Sequence, residues 1–216
     1  MSSTKHVAVI GGGILGVSTA VHLLRQGASV TLLTEQGLAS EATGRSLSWL
    51  NSAGERSTPY HLLRVAGVDR YRTLFAADPP SREWLQFGGG GLMWNAAGQG
   101  EVTEARHAYE KSIGYDSKLL APEEIASVTP GIDATAVPPG NAIFNPPGEG
   151  WVSLPDLVNF LMEEFHALGG QLILNAGKAS VMVDGGRATG VETTGGETYP
   201  PLTPCWLPAV PRRPPS

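Results

Sequence analysis

The sequence predicts an α/β fold, and three features carry that expectation. An apolar run of strand length, Val7-Ala8-Val9-Ile10, meets Gly11-Gly12-Gly13 and passes directly into a helical pattern. A second apolar run, Ala28 to Leu33, follows that helix at the spacing of a βαβ unit. Between residues 179 and 199, short β-rich runs alternate with Asp-Gly and Gly-Gly turns, the pattern of a β-meander. With 216 residues, 41% of them hydrophobic, the chain can bury a substantial core, as one large domain or two small ones.

The first element, residues 6–10, reads as a buried parallel strand. Residues 14–26 read as a helix, with Leu15, Ala20, Leu23 and Leu24 at helical spacing and Gly27 as its stop. Gly11, Gly13 and Gly16 between them stand in G-x-G-x-x-G spacing. The first lets the chain turn off the strand, the second lets a pyrophosphate approach the backbone, and the third lets the helix pack closely. Together with Gly12, Ile14 and Leu15 they form a Rossmann-like, dinucleotide-binding segment whose free N–H groups face phosphate. The glycine spacing alone is weak in a chain with 28 glycines; the preceding strand and following helix strengthen it.

The second strand should end in an acid that accepts hydrogen bonds from ribose hydroxyls. The aligned position is Thr34, and Glu35 comes one residue late. A shift of one residue reverses side-chain direction in a strand. Either the strand bulges and Glu35 reaches the ribose, or Thr34 or backbone makes a weaker contact. A solvated loop position for Glu35 is the plain alternative.

Composition excludes several classes. A net charge of -5 and the lack of a basic block argue against nucleic acid. No apolar run approaches bilayer-spanning length, and the N-terminus lacks a signal-peptide core. The single cysteine, Cys205, gives no disulfide framework and fits a reducing, cytoplasmic setting. The five histidines are scattered, and none pairs at metal-ligand spacing, so no metal site is expected.

Residues 37–51, GLASEATGRSLSWLN, are rich in small and hydroxyl residues and hold one cation. The plain reading is a polar loop capping a helix at Ser46. With Gly11–Gly16 before it and EGWVSLPDLVNFL after it, this stretch resembles the D-amino-acid oxidase-type flavoproteins. These are FAD-dependent amine and amino-acid oxidoreductases, among them glycine and sarcosine oxidases and D-amino-acid dehydrogenases. The resemblance runs from about residue 5 to Tyr199. It implies FAD as cofactor, held by Gly11–Gly16, with Ala42, Thr43, Gly44, Arg45 and Ser46 against its pyrophosphate and flavin. It also places backbone near Ser180 or Val181 at the adenine.

The remaining elements follow in order. Residues 59–77 read as an amphipathic helix with Leu62, Val65, Val68, Tyr71 and Phe75 on one face. Trp84 to Phe87, Gly88 to Gly91 and Leu92 to Trp94 read as strand, bend and strand. A short helix over 102–114, another from Pro122 and a strand around 142–144 lead to Glu149-Gly150-Trp151-Val152. Trp151 reads as a packing residue and Glu149 as a charge at a helix terminus. Ser153, Pro155 and Asp156 start a helix as in a capping box, and residues 171–175 form the next parallel strand. By the resemblance, residues 1–86 and 149–199 form the FAD-binding domain with its parallel sheet and β-meander. Residues 87–148 form part of an inserted β-rich α+β substrate domain, covering the flavin face.

After Tyr199 the family calls for an acid, an apolar strand beside the first strand, and a small-residue turn. Residues 200–216 instead hold seven prolines, which a central strand does not accommodate, and they read as a disordered tail. Written in GC-rich codons and read from the third base, Pro200 to Ala209 encode Ala-Ala-Asp-Ala-Val-Leu-Ala-Ala-Gly, so a reading-frame change is one account. The coding DNA tests it. Without that strand the first strand is a sheet edge, and the family's C-terminal half is missing.

The function the resemblance implies is oxidation of a small amine or amino acid, a D-amino acid, glycine or sarcosine-like compound. The α-hydrogen leaves as hydride to flavin, and the imine hydrolyses. No catalytic residue is assigned to this chain. The alternatives are an NAD(P)-dependent oxidoreductase on the same βαβ unit and a non-catalytic truncated fragment.

Overall fold

The computed structural model describes residues 5–77, 83–138, 142–145 and 148–199. In chain order the elements begin with β1 (His6–Ile10), α1 (Ile14–Arg25), β2 (Ser29–Leu33), β3 (Trp49–Leu50), α2 (Thr58–Ala77), β4 (Leu85–Phe87) and β5 (Gly91–Met93). They continue with α3 (Gly100–Ser112), β6 (Lys118–Leu120), α4 (Pro122–Val128), β7 (Ala142–Asn145), β8 (Gly150–Val152) and α5 (Leu154–Ala167). β9 (Gln171–Ile173), β10 (Ala179–Asp184), β11 (Arg187–Thr193) and β12 (Thr198–Tyr199) complete the set. The chain divides at Leu47/Ser48 and Val152/Ser153 into two compact units. Residues 48–86, which sequence order groups with the nucleotide part, cluster with the second unit.

The first unit holds a parallel sheet in the order β1-β2-β9. Val7 and Val9 alternate onto one buried face of β1, whereas β2 is buried continuously from Val30 to Leu33, as a strand covered on both faces must be. α1 contributes Val17, Ala20, Val21 and Leu24 to the core, and α5 contributes Val158, Met162 and Phe165. Truncating one such side chain, Leu32 for example, costs roughly 2–5 kcal/mol. The Phe165 ring occupies the space where a Cβ on Gly170 would stand. Arg25 forks onto Glu164 with two bonds of 2.6 Å, tying α1 to α5. That pair is exposed and is worth ~0.2–1 kcal/mol.

Gly27, at φ +82, ends α1 as expected. Ser153 is the N-cap of α5, but its hydroxyl donates to the Asp156 carboxylate and accepts no backbone N–H, so the expected capping box is not formed. Among the described residues β1 pairs on one side only, with β2. The proline-rich stretch 200–216, read as disordered, lies outside the described residues. β10, β11 and β12 form the antiparallel meander, turning at Gly185 and Gly186, both at positive φ.

The second unit holds two antiparallel sheets, β3-β8-β4 and β5-β7-β6. Gly88 and Gly90 take positive φ in the bend between β4 and β5. α4 packs Ile125 on Val137 and Ala142. Two expectations need correction. On α2, Val68 is buried but Leu62 is 60% exposed, because the helix lies against short β4, where Phe75 meets Phe87 at 5.8 Å, and its remaining apolar face is only partly covered. Trp151 is 48% exposed: with a period of two, its neighbour Val152 takes the buried face. Among the described residues no helix is long and apolar enough to cross a membrane.

Candidate functional site

The glycine turn joins β1 to α1. Gly11 sits at φ +116, a conformation glycine adopts readily, and a Cβ there would project into open space. Its N–H donates to the Leu33 carbonyl at 2.8 Å, pinning the turn to the end of β2. A Cβ on Gly16 would overlap the Gly11 carbonyl oxygen, so the first turn of α1 packs on the loop as closely as backbone allows. Gly12 is buried against the side chains of Thr34 and Leu38. Gly13 is the N-cap of α1 and has no side chain to cap it, and the first turn carries no acid. The helix's positive end therefore meets no carboxylate of its own first turn.

The second predicted segment closes on the first. Residues 42–45 form a short 3-10 turn in which Thr43 is buried while Ala42, Gly44, Arg45 and Ser46 are exposed. The Thr43 hydroxyl accepts the Ile14 N–H at 3.1 Å, and a Cβ on Gly13 would stand 3.0 Å from it. Gly44 has no room for a Cβ beside the Ala39 carbonyl, and Ala39 N–H bonds Gly12 O at 3.0 Å. Arg45 stands 3.8 Å from Glu41 at the surface. The plain alternative, a loop capping a helix at Ser46, is not what forms: Ser46 follows the 3-10 turn as its C-cap.

At the end of β2 the two candidates separate. Thr34 is 4% exposed, and its hydroxyl donates to the Gly37 carbonyl at 3.1 Å, so it is committed to the turn. Glu35 is exposed. Ala176 and Gly177, just before β10, bond the Thr34 and Glu35 carbonyls, bringing the start of the meander to the same strand end. Ser180 and Val181 lie on β10, exposed and half-buried respectively. The structure thus brings together Gly11–Gly16, Thr34 and Thr43; Arg45, in the same turn as Thr43, stands near Glu41 at the surface, and Ser180 and Val181 lie on β10.

The second unit holds a polar network the sequence did not reveal. Glu149, 3% exposed, accepts the Trp49 indole N–H at 2.8 Å and the Tyr115 hydroxyl. Its expected role at a helix terminus is therefore corrected: it is an interior carboxylate that joins β3 to the Tyr115 loop. Burial raises its pKa above the usual carboxylate range, aided by Glu110 and opposed by the bonds from Tyr115 and Trp49. Burial and that same carboxylate push the Tyr115 phenol up. Ser52 N–H bonds the Tyr115 oxygen at 3.0 Å, and the Ser52 hydroxyl pairs with His61 Nδ1 at 2.9 Å. Glu110, fully buried on α3, accepts from Gly54 N–H, Arg106 Nε and Asn145 Nδ2. No signal in α3 marked it, since a helical pattern does not distinguish an interior Glu from a surface one.

Residues 6–203 match the family described as FAD dependent oxidoreductase. Over 140 residues the chain is 33% identical to the tRNA 5-methylaminomethyl-2-thiouridine biosynthesis bifunctional protein MnmC of Chromohalobacter salexigens, covering 60% of this chain and 20% of that protein. It is 28% identical over 213 residues to mitochondrial sarcosine dehydrogenase of Homo sapiens, covering 95% of this chain and 22% of that protein. Among solved structures, glycine oxidase from Geobacillus kaustophilus superposes with a TM-score of 0.73 at 22% identity, over 92% of this chain and 54% of that one. That likeness concerns the fold. The chain spans about a fifth of the length of these two curated relatives and about half of the solved structure.

Proposed function

The chain belongs to the family of FAD dependent oxidoreductases, and from that premise we propose that it carries the FAD-holding part of an enzyme that oxidises a small amine or amino acid, glycine- or sarcosine-like. The observation that carries this reading is the closure of Thr43 onto the Ile14 N–H at the glycine turn, which seats a neutral hydroxyl, and no acid of the first turn, at the helix N-terminus. The open space over Gly11 and the uncapped Gly13 suit a pyrophosphate, so the residues present fit the cofactor. FAD, when bound, supplies the two-electron acceptor for a hydride leaving the substrate α-carbon.

The chain's own residues act by holding and orienting. Backbone N–H groups of Gly12, Gly13, Leu15 and Gly16 would bind the pyrophosphate, with the dipole of α1 behind them and the Ile14 N–H held by Thr43. Glu35, the exposed carboxylate at the end of β2, would accept from the ribose hydroxyls, while Thr34 keeps Gly12 in place from behind. Ala42, Gly44, Arg45 and Ser46, exposed around the Thr43 anchor, would lie along the pyrophosphate and flavin, and backbone near Ser180 or Val181 at the adenine. The expected domain division into a nucleotide part and an inserted substrate part belongs to the same reading.

The test is spectroscopic. The purified chain, reconstituted with FAD and desalted, is expected to retain flavin absorbance, and added NAD is not expected to displace it. A colourless protein that binds NAD, or one that retains neither cofactor, contradicts the proposal.

A further inference from the structure

The second unit carries a half-open cavity of about 310 Å³, inside the ~300–1,000 Å³ range of small-ligand sites. Its wall is apolar at Leu62, Val65, Val68 and Ile113. It is polar where Ser52, His61, Tyr115 and Glu149 reach it. Charge does not balance beside it. Glu149 and Glu110 are 3% and 0% exposed, yet among the described residues one guanidinium serves both: Arg106, 3.1 Å from Glu110 Oε1. The other partners of Glu110 are the neutral Gly54 N–H and Asn145 amide, and those of Glu149 are an indole and a phenol. Arg72 also lines the cavity, but it is bound to Asp69 at 2.6 Å and to the Gly148 carbonyl. Asp116 on the lining adds a further negative charge.

A buried carboxylate without a counter-charge is costly, and the deficit lies at the cavity wall. Tyr115 and Trp49 each take one lone pair on different oxygens of Glu149, leaving an acceptor position on both. Among the described residues no group of three or more His, Cys, Asp or Glu is placed to hold a metal ion. The apolar wall, moreover, offers nothing to a hydrated metal. A cation that donates N–H to a carboxylate and rests a hydrocarbon body on Val65 and Ile113 satisfies both surfaces. We propose that this cavity binds a small organic ammonium ion, primary or secondary, through Glu149. The site lies wholly within residues 48–152 and does not depend on the dinucleotide reading.

The test titrates the 216-residue chain with benzylammonium, benzyl alcohol and benzoate at neutral pH, reading amide and indole NMR shifts. Benzylammonium is expected to bind at least tenfold more tightly than the isosteric alcohol, with Trp49 Nε1–H shifting, and benzoate not at all. Glu149→Gln brings benzylammonium down to the level of the alcohol. Val65→Phe, which fills the cavity and leaves the carboxylate intact, weakens both ligands. Equal binding of ammonium and alcohol by the unaltered chain, no ammonium binding, or undiminished binding by either variant overturns the proposal. The comparison within the unaltered chain stands even if Glu149→Gln does not fold, and flavin is read nowhere in it.

Discussion

The two units build their polar centres from opposite materials. In the first, the centre is backbone: three glycines, a helix end and one hydroxyl from Thr43, with no charge of its own at the turn. In the second it is side chain: two buried carboxylates, a guanidinium, a phenol and an indole, drawn from β3, α3, the Tyr115 loop and the residue before β8. The backbone centre is neutral and open, suited to an anion it meets by N–H groups alone. The side-chain centre is charged and largely buried, and its cohesion depends on its members having partners. One therefore tolerates loss of polar side chains and not of space; the other tolerates the reverse.

Four substitutions break or sharpen that contrast, the largest effect first. Glu110→Ala leaves Arg106, Gly54 N–H and Asn145 without their shared acceptor, and is expected to cost about 3–4 kcal/mol in urea unfolding. An unchanged midpoint would show that the second unit does not lean on this network. Gly16→Ala adds one methyl where the Gly11 carbonyl already stands, so α1 must move, at about 2–3 kcal/mol. Tolerance of that alanine would mean that the close approach of helix to loop is not maintained.

Thr43→Val keeps shape but removes the acceptor for the Ile14 N–H; a loss of about 1 kcal/mol is expected, with weaker FAD binding. The smallest effect is a slope. Because the folded-state pKa of Glu149 is raised, the folded protein holds that proton more tightly than the unfolded chain does. Stability is then greatest below the ordinary carboxylate pKa and falls as pH climbs from there through the raised value. Glu149→Gln should flatten that part of the stability–pH curve, measured as denaturation midpoints across the acid range. An identical slope in both proteins would remove Glu149 from the account.

The contrast also explains what could be read from the residues alone. The first centre is specified within Gly11–Gly16, where each glycine answers a local steric demand, and Thr43 follows in a loop of recognisable composition. The boundaries of α1, β2 and α5 were legible for the same reason, since apolar periodicity and glycine stops are local. The choice between Thr34 and Glu35 was not, because it turns on a strand end whose side-chain direction depends on the Thr34–Gly37 bond. The second centre was hidden more deeply. Trp49, Ser52, His61, Glu110, Tyr115 and Glu149 are separated by up to a hundred positions, and each looks like an ordinary residue in its own segment. Interior Glu110 even occupies a helix whose buried positions are polar, against the expectation that helical faces bury apolar groups. Leu62 errs the other way, apolar by pattern yet exposed.

The claim that the glycine turn holds an anionic dinucleotide at a helix end with no acid in its first turn has one direct test. Gly13 is an N-cap at φ -83 and ψ 175, a backbone that aspartate or asparagine adopts, and Thr43 Oγ1, 3.0 Å from the new Cβ, must give by a few tenths of an ångström in either variant. Both residues are good N-caps, which offsets that shift, and both bear it equally. Only aspartate places a negative charge where the pyrophosphate would lie. FAD affinity should fall at least tenfold more in Gly13→Asp than in Gly13→Asn, at equal denaturation midpoints. Equal FAD affinity in the two variants would contradict the assignment of this turn as the cofactor's phosphate site.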